Sequence, residues 1–135
     1  MAKILIIDDN GIVSDALTVF LTRAGHEVQS AADGLSGLRV FKSSQPDLVV
    51  LDRDLPGLRG SEVLAKIRET DTLTKVLILT GFDAPEDMEQ YLKSGATAFL
   101  SKGDGLSNVL VEIDVLLGGA PVNVHKPSYK HSPRT

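Results

Sequence analysis

Three carboxylates, one hydroxyl and one ammonium group follow short aliphatic runs in this sequence. They belong to Asp8, Asp9, Asp52, Thr80 and Lys102, each at or just beyond the end of such a run. Two carboxylates ~4 Å apart repel each other by about 4 kcal/mol at an effective dielectric constant near 20. If the three acids meet, either the pKa of one of them rises or a cation joins them.

Magnesium suits this set because it prefers hard oxygen ligands, keeps several waters and often shares a phosphate with the protein. Lys102 would supply a second positive charge, and Thr80 a hydrogen-bond donor. A carboxylate in these surroundings can itself accept a phosphoryl group. Taken singly, each residue has an ordinary explanation: an aspartate in a solvated turn, a strand threonine or a surface lysine. The combination therefore matters only if the fold brings the five side chains together.

The elements that must position them alternate along the chain. Short aliphatic runs without polar alternation are typical of strands covered on both faces. These runs are Ile4–Ile7, Glu27–Ala31 (the weakest), Leu48–Leu51, Val76–Leu79 and Ala98–Leu100. Segments with 3.6-residue apolar spacing lie between and after them, near residues 12–23, 35–43, 61–69, 85–94 and 106–117.

This order predicts an α/β fold with a doubly wound parallel five-stranded sheet, in a (βα)5 flavodoxin-like arrangement of three layers. Sites in such sheets lie outside the carboxyl ends of the strands, near the point where the strand order reverses. That edge is where the five polar side chains are expected.

Composition excludes several other functions. The chain has 135 residues, a formal charge of −4, 4% aromatic residues and no cysteine. It therefore predicts one domain without disulfides or thiolate chemistry, and no direct binding to nucleic acid. No apolar run is long enough for a signal peptide or a membrane span, so a cytoplasmic protein is expected.

The character of the chain changes after Gly119. Residues 120–135 contain three prolines and three Lys or Arg but no acid. We interpret residues 1–119 as the folded domain and residues 120–135 as a flexible tail or linker.

Residues 3 to about 117 resemble the receiver domain of bacterial two-component response regulators, of the chemotaxis-regulator type. Four stretches carry the resemblance: ILIIDD, PDLVVLDRDLPGLRG, VLILTG and GATAFLSK. The resemblance implies that Asp52 accepts a phosphoryl group from a histidine kinase or a phosphotransfer protein. It also implies a signalling phosphoacceptor that catalyses only its own phosphorylation and dephosphorylation, rather than an enzyme with a separate substrate.

The resemblance further assigns magnesium ligands and a switch. Asp9 and Asp52 would bind Mg²⁺ directly, the backbone carbonyl of Asp54 would be a third ligand, and Asp8 would act mainly through water. Lys102 would pair with Asp52 and then with the phosphoryl oxygens. Thr80 would move to donate to the phosphoryl group, and Phe99 would change rotamer in response.

The implied output is a change of the surface formed by the fourth helix, fifth strand and fifth helix, to which Tyr91 and Lys93 could contribute. Its reader would be a downstream protein, or an output domain if the chain is part of a longer regulator; both remain open. The resemblance implies a monomer or weak dimer that contacts neither nucleic acid nor membrane.

The sequence departs from the family pattern at three positions. Gly103 replaces the proline that usually follows the lysine, which predicts a looser loop without a cis peptide bond. Arg59 replaces the usual aspartate before Gly60. Asp54 adds a fourth acid, and its side chain is either a solvated loop residue or a group that alters water access and the lifetime of the phosphoryl group.

Two rival interpretations remain. The stretch LDRDLP resembles the Asp-x-Asp strand end of haloacid-dehalogenase-type phosphohydrolases, with Asp52 as nucleophile and Asp54 as general acid. In that family, however, the Asp-x-Asp pair lies on the first strand and the paired acids come later, the reverse of the order here. The other rival is a pseudo-receiver that only binds partners, although it would have no need of the full set of site residues.

Overall fold

The computed structural model describes residues 1–81, 85–118 and 130–131. The strands are β1 (Lys3–Ile7), β2 (Glu27–Ala31), β3 (Leu48–Asp52), β4 (Lys75–Thr80), β5 (Ala98–Ser101) and β6 (Lys130–His131). The α-helices are α1 (Gly11–Arg23), α2 (Gly34–Ser44), α3 (Gly60–Thr70), α4 (Pro85–Lys93) and α5 (Leu106–Leu116). A single turn of 3₁₀ helix, Lys102–Asp104, joins β5 to α5.

The strands form one sheet in the order β2-β1-β3-β4-β5-β6, and the first five are parallel. The predicted doubly wound (βα)5 fold is thus confirmed. The chain proceeds from β1 to β2 on one side and returns to β3 on the other, so the strand order reverses between β1 and β3. The carboxyl ends of these two strands therefore border the crevice in which such sheets bind ligands.

Side chains of each strand alternate between two apolar layers. Leu5, Val49 and Ile78 point towards α2, α3 and α4, whereas Ile6 and Val50 point towards α1 and α5. All five are fully buried, and each such burial stabilises the fold by about 1.5–3 kcal/mol. Helices therefore cover both faces of the sheet, as predicted for the three layers.

Local signals fix the helix ends. The side chain of Asn10 accepts hydrogen bonds from the amides of Ile12 and Val13 at the start of α1, and Asp33 accepts from Ser36 at the start of α2. Gly25 follows α1 with φ of 96°, a conformation that suits glycine and confirms the predicted end of this helix.

The sheet also contains a short strand that the sequence did not predict. Residues 130–131 pair antiparallel with β5, placing Lys130 opposite Phe99 and His131 opposite Ala98. The remainder of the predicted tail, together with the boundary at Gly119, lies outside the described residues.

Candidate functional site

The register of the parallel strands brings the predicted side chains to one edge. Ile7 lies opposite Leu51, so Asp8 leaves β1 at the level where Asp52 ends β3. Thr80 ends β4 opposite Ser101, the residue before Lys102. The five groups selected from the sequence therefore leave four different strands at the same end of the sheet.

Asp8, Asp9 and Asp52 form a cluster at this edge. Each contributes one carboxylate oxygen, and these oxygens all lie within 4.8 Å of one another. Asp8 and Asp52 are buried, at 3% and 4% exposure, whereas Asp9 is exposed. The cluster thus has two acids against the core and one facing water.

Burial raises the pKa of Asp52 to about 7, and the backbone amide of Asp54, which donates to Asp52 Oδ1 at 3.1 Å, opposes this rise. The charge of Asp8 raises the pKa further, and that of Lys102 lowers it. Removing a carboxylate from water disfavours its charged form, and a second carboxylate nearby adds repulsion. A cation placed between the acids would therefore favour ionised Asp52.

Lys102 lies closer to Asp8 than to Asp52. Its Nζ is 3.0 Å from Asp8 Oδ2, 3.3 Å from Asp8 Oδ1 and 3.7 Å from Asp52 Oδ2. The Lys102 side chain is itself only 19% exposed. The lysine therefore shares its charge between both buried acids instead of pairing with Asp52 alone.

The donor set fits a divalent cation. Asp8 Oδ2 is buried and accepts no hydrogen bond within the described part of the chain, although it forms the ion pair with Lys102. Asp9 offers an exposed carboxylate, and Asp52 adds a buried one. Three carboxylates with an open, wet side suit Mg²⁺, which retains water when it binds proteins.

Thr80 and Phe99 lie on the same face of the sheet. Phe99 is opposite Ile78, and Thr80 lies two residues beyond Ile78, so by strand alternation all three side chains face the layer that contains α4. Thr80 is fully buried and Phe99 is 4% exposed. The Phe99 ring contacts that of Tyr91 on α4, with centroids 5.7 Å apart and an angle of 44° between the planes. A shift of Thr80 can therefore alter packing around an aromatic pair that extends to α4.

The loop after β5 uses the glycine that replaces proline. The amide of Gly103 donates to Ser101 Oγ at 3.1 Å, a bond that a proline could not make. This bond caps the 3₁₀ turn, and the described residues contain no cis peptide bond. The loop expected to be loose thus forms a hydrogen-bonded turn here.

Sequence reasoning overlooked two features next to the cluster. A Cβ on Gly60 would lie 2.7 Å from the carbonyl oxygen of Asp52 and 2.9 Å from Cα of Arg53, so only glycine fits at the start of α3. Arg53 forms ion pairs with the side chains of Asp54 and Asp87. The close contact at Gly60 could have been inferred from a glycine at the start of a helix. The ion pair between Arg53 and Asp87 could not, because it depends on the tertiary fold.

Known proteins are similar to this chain in sequence. The model of the response regulator receiver domain family matches residues 4–114. The transcriptional regulatory protein AfsQ1 of Streptomyces coelicolor is 41% identical over 102 residues, which are 76% of this chain and 45% of that protein. The BvgA transcription regulator of Bordetella pertussis is 35% identical over 118 residues, which are 87% of this chain and 56% of BvgA. The chain thus spans about half the length of these curated relatives.

Some solved structures are similar over almost their whole length. The chemotaxis response regulator CheY4 of Vibrio cholerae has a TM-score of 0.81 and 29% identity, covering 86% of this chain and 98% of CheY4. Among the described helices, none is both long and apolar enough to cross a membrane. The sequence match, the parallel sheet and the acidic cluster at its edge agree: the chain belongs to the response regulator receiver domain family of two-component systems.

Proposed function

We propose that Asp52 is the residue of this receiver domain that accepts the phosphoryl group. The observation that carries the proposal is the environment of its carboxylate: buried at the end of β3, it lies in a cluster with Asp8 and Asp9, and Lys102 Nζ is 3.7 Å away. A nucleophile for phosphoryl transfer must be ionised, and positive charge must surround the oxygens of the group in transit.

The transfer itself forms one bond and breaks one. A carboxylate oxygen of Asp52 attacks phosphorus, the phosphorus–nitrogen bond of a phosphohistidine breaks, and the imidazole leaves and takes up a proton. The amide of Asp54, already directed at Asp52 Oδ1, holds the acceptor in place. Lys102 is close enough to both acids to move from Asp8 towards the new phosphoryl oxygens. Hydrolysis by water would later regenerate the carboxylate.

Asp9 and Asp52 would hold Mg²⁺ directly, with the backbone carbonyl of Asp54 as a further ligand and Asp8 acting through water. The bound ion would neutralise negative charge on the oxygens of the phosphoryl group. Asp8 Oδ2, which is buried and paired only with Lys102 among the described residues, and the exposed carboxylate of Asp9 support this assignment.

The output would follow from Thr80 and Phe99. Phosphorylation adds about −1.5 to −2 charges and new acceptor oxygens. Thr80 would donate to one of them, and the resulting shift would reach Phe99 and its ring contact with Tyr91. The surface of α4, β5 and α5 would then change for a downstream protein or an output domain.

A histidine kinase or phosphotransfer protein would be the donor. An apolar cleft between α1 and α5, lined by Ile12, Ala16 and Leu106, opens beside Lys102, and Ile12 is 84% exposed. An apolar surface next to the acceptor suits docking of a protein donor. We assign the reaction to the cytoplasm.

Intact-mass spectrometry tests the proposal directly. After incubation with acetyl phosphate and Mg²⁺, the chain should gain one phosphoryl group, and Asp52→Asn should gain none. Absence of the adduct in the unaltered chain, or its persistence in Asp52→Asn, would contradict the assignment. Rapid hydrolysis of a generic phosphate monoester would instead support the phosphohydrolase interpretation.

A further inference from the structure

Arg53, the residue after Asp52, connects the acceptor strand to helix α4. Its Nη1 donates to Asp87 Oδ2 in the first turn of α4, and its Nε lies 3.3 Å from Asp54 Oδ1. The Arg53 side chain is 17% exposed, against 48% for Asp87 and 56% for Asp54. The guanidinium is thus the most buried member of a group of three charges, which limits the screening of its ion pairs by water.

Helix α4 depends on contacts made outside the helix itself. It has nine residues, Pro85–Lys93, and an isolated helix this short is marginal in water. Its apolar anchor is Tyr91, at 7% exposure, with Met88 and Leu92 partly buried. Asp87 precedes these residues, so the ion pair with Arg53 holds the end of α4 that lies before the apolar anchor.

Space for movement lies beside this ion pair. A cleft of about 690 Å³ separates the loop after β3 from α4, and Asp54, Pro56, Asp87 and Gln90 are among the residues that line it. Asp87 and Gln90 therefore border open space on the side of α4 that faces the loop. Arg53 lines the same cleft and joins its two sides through Asp54 and Asp87.

We propose that Arg53 is a positioning residue that couples the phosphorylation of Asp52 to helix α4 through Asp87. In the unphosphorylated protein, the Arg53–Asp87 ion pair holds the first turn of α4 beside the acceptor loop. A phosphoryl group on the neighbouring residue attracts the guanidinium, weakens its bond to Asp87 and gives this turn more freedom. The coupling rests on the proposed role of Asp52, whereas the holding of α4 in the unphosphorylated chain does not.

The main chain provides a second route for the same signal. The amide of Asp54 donates to Asp52 Oδ1 at 3.1 Å, and the Asp54 side chain is paired with Arg53. Any adduct on Asp52 must change that carboxylate, and Asp54 and Arg53 are attached to it by one hydrogen bond and one ion pair. Asp52, Asp54, Arg53 and Asp87 are thus linked to one another by these contacts.

Amide hydrogen exchange of the full chain tests the holding of α4. Without a phosphodonor, Asp87→Asn should speed the exchange of amides in residues 88–93 about three- to tenfold, the effect expected for losing a partly buried ion pair. Arg53→Ala should do the same. Asp87 also interacts with the helix dipole, so the effect of Asp87→Asn alone does not identify the ion pair. The deciding result is the variant that carries both changes, in which the exchange of the α4 amides should be little faster than in either single variant.

Glu89→Gln is the matched control. It removes an exposed ion pair on the same helix, in which Glu89 Oε1 lies 3.2 Å from Lys93 Nζ at 72% and 69% exposure. Exchange in α4 should remain almost unchanged, because exposed pairs contribute little. An effect as large as that of Asp87→Asn, or full additivity in the double variant, would overturn the proposal.

Acetyl phosphate with Mg²⁺ tests the coupling, and intact mass reports the adduct on the same samples. Phosphorylation should speed α4 exchange in the unaltered chain and have a smaller effect in Asp87→Asn, whose helix is already released. An adduct that leaves α4 exchange unchanged, or changes it equally in both proteins, would overturn the coupling. Failure of the unaltered chain to form any adduct would contradict the role of Asp52, and the coupling with it, but not the hold on α4.

Discussion

Lys102 Nζ lies 3.0 Å from Asp8 Oδ2 but 3.7 Å from Asp52 Oδ2, so the partly buried lysine is paired more closely with Asp8 than with Asp52. Of the two buried carboxylates, that of Asp52 is therefore the less closely paired with the lysine. Under the proposed role of Asp52, the ammonium group would move closer to Asp52 after transfer.

Replacing Lys102 should therefore destabilise the protein mainly in the absence of metal. Lys102→Gln leaves two buried carboxylates without their cation, which should lower the free energy of unfolding by about 1–3 kcal/mol. Urea denaturation with EDTA measures this loss, and added Mg²⁺ should recover most of it. Lys93→Gln, which removes only an exposed ion pair, should have almost no effect; equal losses in the two variants would contradict the argument.

Magnesium should stabilise the folded chain through Asp9. If Mg²⁺ binds only the native state, it should contribute about 2.7 kcal/mol at 100 times its dissociation constant. Asp9→Asn should remove most of this gain without disturbing the core, because Asp9 is exposed. Asp15→Asn, an exposed change on α1, should retain it. Thermal melting with and without Mg²⁺ provides the measurement, and identical curves for the unaltered chain would argue against the metal site.

The pKa of Asp52 should make metal-free stability depend on pH. Folding raises this pKa from 3.8 to about 7, so the native state holds a proton that the unfolded chain has lost. The stabilising effect of that proton is complete below pH 3.8 and is lost as the pH rises towards 7, by at most about 4 kcal/mol. Urea denaturation in EDTA between pH 5 and 8 should show the decline, and Asp52→Asn should lack it.

Gly60 should tolerate no side chain. The Cβ of Gly60→Ala would lie 2.7 Å from the carbonyl oxygen of Asp52, and overpacking of this kind costs about 1–3 kcal/mol. Because the displaced backbone carries the acceptor, phosphorylation by acetyl phosphate should slow as well. Gly103→Ala provides the comparison, since its Cβ would meet only Ser101 Oγ, at 3.3 Å, and should be far milder. If both variants had the same phosphorylation rate, the close contact at Gly60 would not matter for the site.

Thr80→Val should separate phosphorylation from its output. Valine keeps the buried volume but lacks the hydroxyl that would donate to the phosphoryl group. The adduct on Asp52 should still form, as judged by intact mass. Amide exchange in β5 and α4, however, should respond less to phosphorylation than in the unaltered chain, because the signal to Phe99 and Tyr91 is missing. An undiminished response would remove Thr80 from the switch.

The strands and the site edge were predictable because their signals are local. Fully apolar runs such as Leu48–Leu51 belong to buried parallel strands, and the alternation of strands with helices fixes which ends of the strands meet. Once the parallel order is known, Asp8, Asp52 and Thr80 must share one edge. The order of strands and helices alone is therefore enough to place these three residues together.

The remaining features depend on geometry that a sequence does not encode locally. The sharing of Lys102 between Asp8 and Asp52 is decided by fractions of an ångström in packed side chains. Asp87, the α4 partner of Arg53, lies 34 positions away along the chain, so nothing near Arg53 in the sequence identifies it. The hydrogen bond from the Gly103 amide to Ser101 Oγ depends on the turn that follows β5. Strand β6 was missed because two residues in a proline-containing polar segment carry no strand pattern.

Strand β6 also changes how the end of the sheet meets other molecules. A parallel sheet that ended at β5 would present unpaired amides and carbonyls beside Phe99, and such edges recruit strands from other chains. Residues 130–131 cover this position with backbone of the same chain, in antiparallel orientation. Any protein that added a strand to β5 beside Ala98 and Phe99 would therefore have to displace this segment first.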